Sequence, residues 1–119
     1  MAGPLEGYKV VELTSTVSGP LAGMVLADQG AEVIKVEPPL MGDLARFMGS
    51  SRSGFGGMFG VLNRNKKSIV LDLKDKDEVS ILKDLLIDTD VLIENYRPGV
   101  VKKITIGLSK FKASSRLYL

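Results

Sequence analysis

Four short apolar runs, separated by segments of other character, set the strongest limit on how this chain can fold. Each run is six or seven residues long and rich in valine, isoleucine and leucine, which is typical of buried strands. The runs occupy residues 8–13, 31–37, 68–73 and 91–96. Parallel strands need a long crossover connection, usually a helix, and helical patterns separate these runs. The pattern therefore predicts an α/β fold whose mostly parallel sheet carries flanking helices on both faces.

Helical patterns fill two of the connections, and a glycine-rich segment interrupts the chain between them. A helix is predicted from Gly19 to a C-capping Gly30, and residues 75–88 show the apolar spacing of an amphipathic helix. Residues 40–63 carry six glycines and lack periodicity, apart from a short helix predicted near residues 43–48. Such long loops are usually functional or mobile. A fifth strand is predicted at residues 116–119, so the fold is expected to be truncated in that strand.

The turn after the fourth run, residues 94–99 (ENYRPG), joins a buried strand end to a predicted short helix. Pro98 suits the first position of that helix, which is predicted to extend to about Ile106. Free N–H groups of the first helical turn, with Arg97 beside them, form an anion site where open α/β sheets bind ligands. A plain strand-to-helix turn with one solvated arginine explains the same residues equally well.

Missing residue types exclude several kinds of chemistry. The chain contains no cysteine and no histidine. This composition rules out disulfides, thiolate zinc sites, histidine-based triads and most transition-metal sites, so no metal is expected. The first residues lack the pattern of a signal peptide, and no stretch approaches the roughly 20 apolar residues of a membrane span. The expectation is a cytoplasmic protein with no membrane partner.

Two further features are compatible with nucleotide or nucleic-acid binding but lack a matching motif. Glu37 ends the second strand where a dinucleotide-binding protein places its ribose-binding acid, yet residues 14–20 (TSTVSGP) lack the G-x-G-x-x-G turn. From Arg97 onward the chain has six basic residues and no acidic one. That end suits either a phosphorylated ligand or a solvated face. It has no nucleic-acid recognition motif, so no nucleic-acid partner is expected.

Five motifs follow one another along the chain. They are SGP at residues 18–20, LADQGAEVIKVE at 26–37, NRNKKS at 63–68, LDLK at 71–74 and ENYRPG at 94–99. Together they closely resemble the amino-terminal part of the class III (CaiB/BaiF-type) coenzyme A transferases, over nearly the whole chain. The α-methylacyl-CoA racemases and carnitine-CoA dehydratase-like proteins of that family share the pattern, so their activities are alternatives.

The resemblance implies a Rossmann-like large domain in a homodimer of interlocked, ring-shaped subunits. The implied reaction moves coenzyme A from an acyl-CoA to a carboxylic acid, through an aspartate that attacks the thioester. In the family pattern that aspartate lies beyond residue 119. Residues 1–119 are therefore expected to be the coenzyme-binding, amino-terminal part of the large domain, with no catalytic residue and no activity alone. A non-catalytic coenzyme A or nucleotide-binding module and a remnant without a ligand are the other interpretations.

The resemblance also implies eight coenzyme-binding residues. They are Leu71, Asp72, Leu73, Lys74, Asn95, Tyr96, Arg97 and Lys103. The basic members of this set are candidates for phosphate contacts, and Tyr96 is suited to flank the adenine ring. Structural alternatives exist for them, since Leu71 and Leu73 also suit a strand core and the lysines also suit a solvated surface.

Other polar residues receive no coenzyme role. Pro38 stands where many relatives carry an arginine, so that contact is lost, and the turn at residues 15–17 departs from the common pattern. Glu32, Lys35 and Glu37 are interpreted as alternating polar groups on a strand, with an ion pair worth under about 1 kcal/mol if exposed. The basic run at residues 63–67 suits either a phosphate or a solvated strand entry.

Overall fold

A four-stranded parallel sheet organises the protein, and the computed structural model describes residues 2–52 and 55–104. In chain order the elements are β1 (Lys9–Leu13), α1 (Ser18–Asp28), β2 (Glu32–Glu37), a 3-10 helix (Leu44–Phe47), β3 (Ser51–Arg52), β4 (Phe55–Gly56), α2 (Gly57–Leu62), β5 (Lys66–Val70), α3 (Lys76–Leu86), β6 (Val91–Glu94) and α4 (Val100–Ile104). The sheet order is β5-β2-β1-β6, and β3 pairs with β4 as a separate antiparallel ribbon. The predicted α/β fold with a parallel sheet is confirmed.

Side chains of the central strand alternate between two apolar layers, one on each face of the sheet. Leu13 of β1 belongs to a core cluster with Leu82 and Leu86 of α3. Val10 belongs to a second cluster, which contains Ala27 of α1. Because helices cover both faces, the central strands bury every second residue on each side, and this explains their near-continuous apolar character.

The two long helices begin and end where the sequence indicates. The Asp75 side chain caps α3, accepting hydrogen bonds from the backbone N–H groups of Asp77 at 2.8 Å and Glu78 at 3.2 Å. After α1, Gly30 has a φ of +101°, the left-handed conformation that glycine adopts just beyond a helix. These local signals fix the connections, so the strand ends converge at one edge of the sheet.

The glycine-rich segment at residues 40–63 is more ordered than the sequence predicts. The short helix expected near residues 43–48 is present as the 3-10 helix, but the β3–β4 ribbon and α2 were not predicted. Gly56 shows why the glycines mislead: a Cβ atom there would lie 2.6 Å from the backbone oxygen of Met48. This glycine permits close backbone packing and does not signal an open loop.

The helix predicted to begin at Pro98 begins at Val100 instead. Gly99 has a φ of +86°, and the Val100 N–H donates to the Arg97 carbonyl at 3.1 Å. Residues 97–100 therefore form a turn with proline second and glycine third, as in a type II turn. The helix start on which the predicted anion site depends does not lie at Pro98, because the left-handed Gly99 separates Pro98 from α4. The predicted end of this helix near Ile106 and the predicted strand at residues 116–119 lie outside the described residues.

Candidate functional site

A cavity of about 320 Å³ opens at the carboxyl-end edge of the sheet, between the segments that follow β2, β5 and β6. Its size falls at the lower end of the roughly 300–1,000 Å³ typical of small-molecule pockets. Six of the eight residues implied by the sequence resemblance line it: Leu71, Asp72, Leu73, Lys74, Tyr96 and Lys103. The carboxyl ends of parallel strands are the usual ligand edge of such sheets.

The segment after β5 is shaped by Asp72. Its Oδ1 atom accepts a hydrogen bond from the Lys74 backbone N–H at 3.0 Å, and its carbonyl accepts one from the Asp75 N–H at 3.0 Å. The Asp72 N–H in turn donates to the Glu78 carboxylate of α3. This Asx-type turn reverses the chain between strand and helix and presents Lys74 at the rim. In the structure Asp72 therefore orders its own backbone.

Tyr96 forms an apolar wall of the cavity. Its half-buried ring packs against the core cluster that contains Leu71 and Leu82. Burial raises the pKa of the Tyr96 phenol, and the nearby carboxylates of Glu94 and Asp43 raise it further. The side chain is therefore a neutral phenol at physiological pH, which offers a flat ring with one hydroxyl group.

Lys74 and Lys103 supply positive charge at the rim. Both side chains are exposed, and neither ammonium group has a carboxylate within ion-pair distance in residues 2–52 and 55–104. A lysine without a carboxylate partner can pair directly with a ligand anion, whereas a lysine already in an ion pair must first give up its partner. The cavity thus combines an apolar wall with two available cations.

Asn95 and Arg97 do not line this cavity. The Asn95 side chain bridges to the turn after β1, accepting from the Ser15 N–H at 3.0 Å and donating to the Ser15 carbonyl at 2.9 Å. Arg97 is exposed at the first position of its turn. The structure therefore brings six of the eight implied residues together, whereas the Asn95 side chain bonds the backbone of the turn after β1.

A buried cluster of charged side chains lies beneath the site, and no sequence pattern indicates it. The Lys35 ammonium lies 2.8 Å from Glu12 and 2.7 Å from Asp43, and all three side chains are at most 1 % exposed. The Lys66 ammonium, 2 % exposed, lies 2.7 Å from the second oxygen of Glu12. Gly23 of α1 covers this pair, where a Cβ atom would lie 2.1 Å from Glu12 Oε2. Burial lowers the pKa of Lys66, although the Glu12 carboxylate opposes that change.

Glu37 anchors a second buried pair. Its carboxylate accepts two hydrogen bonds from Arg46, at 2.8 and 2.7 Å, and further bonds from the Asp43 N–H and the Ser68 hydroxyl, both at 3.0 Å. Burial disfavours the charge, but these donors outweigh it and hold the Glu37 pKa below its ordinary value. Lys35 and Glu37 alternate on β2 as interpreted, but the face that they share is covered and each pairs with residues outside β2, so the value given for an exposed pair does not apply.

The basic run at residues 63–67 is neutralised within the protein. Arg64 pairs with Asp28 at 2.6 Å, Lys67 pairs with Glu32 at 2.6 Å, and Lys66 is buried against Glu12. These cations hold β5 to the neighbouring elements. Of the two alternatives for this run, the solvated strand entry fits Arg64 and Lys67, whose side chains are 52 % and 71 % exposed, whereas Lys66 is buried.

A second cavity, of about 410 Å³, adjoins the first. The two share Glu37, Pro38 and Tyr96 as lining residues. The second extends past Ser15 to the loop before the 3-10 helix and has no lysine or arginine among its described lining residues. The pair of cavities therefore offers a charged end and an apolar end to one elongated ligand.

The sequence and the fold match those of an established family. The sequence model of CoA-transferase family III matches residues 5–115, so the chain belongs to CoA-transferase family III. This confirms the resemblance found in the sequence motifs. The parallel sheet and the sequence motifs agree with this match on one class of protein.

Individual relatives are substantially similar to the chain. It is 46 % identical to human succinyl-CoA:glutarate CoA-transferase over 105 residues, covering 87 % of the chain and 24 % of that protein. It is 42 % identical to succinyl-CoA–D-citramalate CoA-transferase of Chloroflexus aurantiacus over 111 residues, covering 92 % of the chain and 28 % of that protein. The crystal structure of a CaiB/BaiF family protein from Brucella suis superposes with a TM-score of 0.86 at 35 % identity, covering 99 % of the chain and 33 % of that protein. The chain spans about a quarter of the length of the curated relatives it matches.

In the part of the chain that the structure describes, no helix has the length and apolar character needed to cross a membrane.

Proposed function

We propose that this chain is the coenzyme A-binding part of a CoA-transferase, which moves coenzyme A from an acyl-CoA to a carboxylic acid. The observation that carries the proposal is the cavity at the sheet edge, where an apolar wall meets two lysines that have no ion-pair partner among the described residues. Family membership supports the same ligand, because the relatives named above are CoA-transferases. The chain covers only part of those relatives, and no residue within it is proposed to be catalytic.

The cavity residues fit the adenosine end of coenzyme A. Leu71, Leu73 and Tyr96 present apolar and aromatic surface suited to the adenine ring. Lys74 and Lys103 place ammonium groups at the rim, suited to the ribose phosphate and the diphosphate as point charges. Arg97 is exposed on the turn after Tyr96 and is proposed as a further phosphate contact. Asp72 and Asn95 contribute through the backbone turns that they hold.

In this proposal the chain holds and orients the coenzyme, and it does no covalent chemistry. The two lysines offset the phosphate charges, and the Tyr96 wall excludes water from one face of the adenine ring. Fixing the adenosine end determines where the rest of the ligand extends. The adjoining cavity, which has no lysine or arginine among its described lining residues, receives the uncharged arm.

Calorimetric titration of the purified protein with coenzyme A and with dephospho-coenzyme A tests this proposal. We expect coenzyme A to bind and the dephosphorylated ligand to bind more weakly. Lys74→Ala and Lys103→Ala should each weaken coenzyme A binding by about tenfold or more, because each removes a contact to a charged group.

Lys67→Ala is the matched control, since Lys67 is an exposed lysine already paired with Glu32 outside the cavity. Its affinity for coenzyme A should equal that of the unchanged protein. Absence of binding by the folded protein, or equal losses in Lys67→Ala and the two cavity variants, would contradict the proposal.

The remaining properties are proposed from family membership alone. The complete protein acts as a cytoplasmic homodimer on an acyl-CoA and a carboxylic acid acceptor, without a metal, nucleic-acid or membrane partner. Light scattering coupled to size-exclusion chromatography measures the assembly directly, and a monomer mass for the complete protein would contradict the homodimer.

A further inference from the structure

The turn between β1 and α1 is held in a conformation that its sequence does not favour. Thr16 has a φ of +76°, in the left-handed region that β-branched residues rarely occupy. Such a conformation persists only where surrounding contacts impose it, and imposed conformations of this kind concentrate at functional sites. The neighbouring Thr14 and Ser15 line the second cavity.

Two side chains from distant elements impose this conformation. Asn95, after β6, bonds both the N–H and the carbonyl of Ser15. Asp43, before the 3-10 helix, accepts from the Thr16 N–H at 2.9 Å and from the Ser15 hydroxyl at 3.2 Å through its Oδ1 atom. The same oxygen accepts from the Ala45 N–H at 2.9 Å. Asp43 therefore ties the turn to the wall of the second cavity.

Asp43 is itself fixed from below. Its Oδ2 atom lies 2.7 Å from the buried Lys35 ammonium, which is bound on its other side by Glu12 and by the Thr14 carbonyl at 3.2 Å. One carboxylate oxygen thus faces the cation and the other faces the turn. The two oxygens make different contacts, and a carboxylate turned away from this arrangement loses the contact with Lys35 and the hydrogen bonds from the turn.

We infer that Asp43 is a positioning residue, which holds the turn at Ser15 and Thr16 in place for the part of the ligand that occupies the second cavity. This inference rests on the proposed function, because it takes the ligand to extend from the lysine-lined cavity into the adjoining one. Lys35 locks Asp43 in the required orientation.

Asp43→Asn separates this role from the shape of the side chain. An asparagine can direct its oxygen at the turn only by placing its NH₂ group against the Lys35 ammonium, and the reverse orientation removes the acceptor from Thr16. The variant therefore keeps the volume of the side chain and loses either the favourable contact with Lys35 or the hydrogen bond from Thr16. Asp28→Asn is the matched control, because Asp28 pairs with Arg64 at the surface, away from both cavities.

The test compares two ligands by calorimetry. Adenosine 3′,5′-bisphosphate fills only the lysine-lined cavity, whereas coenzyme A also carries the arm that extends past the turn. We expect Asp43→Asn to weaken coenzyme A binding by about tenfold and to leave the bisphosphate affinity unchanged, while Asp28→Asn changes neither. A purely structural role for Asp43 would weaken both ligands together, and that result overturns the inference.

A milder variant covers the case in which Asp43→Asn does not fold. Ser15→Ala removes the hydroxyl donor to Asp43 and leaves the buried ion pairs intact, with Ser18→Ala as an exposed control on α1. It should weaken coenzyme A alone, by a smaller factor, and equal affinities for the two serine variants overturn the inference. If the unchanged protein binds neither ligand, the proposed function fails, and the inference fails with it.

Discussion

At the scale of single residues, the buried charges are the least expected feature of this protein. Alternating polar residues on a strand ordinarily face water, yet Lys35 and Glu37 are only 1 % and 2 % exposed. They are buried because β1, the 3-10 helix and β5 bring Glu12, Arg46 and Lys66 to the same face of the sheet. No local pattern reports such distant partners, and the sequence therefore could not reveal the cluster.

Lys35→Met is predicted to be strongly destabilising. The substitution removes the cation between two buried carboxylates and leaves Glu12 and Asp43 without that compensation. We expect the free energy of unfolding to fall by about 3–5 kcal/mol in urea denaturation. Lys67→Met, which breaks an exposed pair, should change it by no more than about 0.5 kcal/mol. Similar losses in the two variants would show that burial of the pair contributes nothing.

Glu37 predicts a loss of stability in acid. Burial opposes its ionisation, but the Arg46, Asp43 and Ser68 donors hold its pKa below the ordinary 4.5. A depressed folded-state pKa stabilises the protein fully above the unfolded-state pKa, and that stabilisation is lost as pH falls through the folded-state value. We therefore expect the stability difference between the unchanged protein and Glu37→Gln to shrink below about pH 4.5. Denaturation curves measured from pH 7 to pH 3 check this, and parallel profiles would contradict it.

At the scale of elements, apolar periodicity located each main strand but misplaced both ends of β5 and the end of β6, which lies at Glu94 instead of Tyr96. A strand was predicted at residues 68–73, whereas β5 spans Lys66–Val70. Leu71 lies beyond the strand end yet is only 3 % exposed, since it packs under α3. The strand begins at a lysine because the Lys66 side chain reaches the buried Glu12. Apolar character reports burial, and burial continues past the last strand hydrogen bond.

The N-cap of α3 provides a prediction for a single element. Asp75→Ala removes the acceptor for two free N–H groups at the start of the helix. We expect a loss of about 0.5–2 kcal/mol in the free energy of unfolding. Asp84→Ala, an exposed substitution within the same helix, is the control and should lie within about 0.5 kcal/mol of the unchanged protein. An equal loss in both variants would remove the capping explanation.

At the scale of the whole molecule, the site depends on convergence of segments far apart in the chain. The sequence pattern alone predicted a ligand edge at the carboxyl ends of the strands, and the resemblance supplied the residues. Six of those eight residues meet at one cavity. The second cavity could not be predicted, because its wall is the segment around Asp43 and its contact with the turn at Ser15 is long-range.

The sheet order predicts an ordered gradient of local stability. β1 lies between β2 and β6 and is buried on both faces, whereas β5 pairs with β2 alone among the described strands. Hydrogen exchange monitored by NMR should therefore show the slowest amide exchange in β1 and faster exchange in β5. Equal protection of the two strands would indicate that the sheet opens only as a whole.

The missing side chain at Gly23 has a consequence for how this sequence can diverge. An alanine there collides with Glu12. A shorter residue at position 12 leaves Lys35 and Lys66 without the carboxylate that they share, and loss of either lysine leaves that buried carboxylate with one cation fewer. Each change is harmful alone, and its effect depends on the others, which is epistasis. Mutational paths through positions 12, 23, 35 and 66 are therefore open only in particular orders, and the four positions are expected to evolve as one unit.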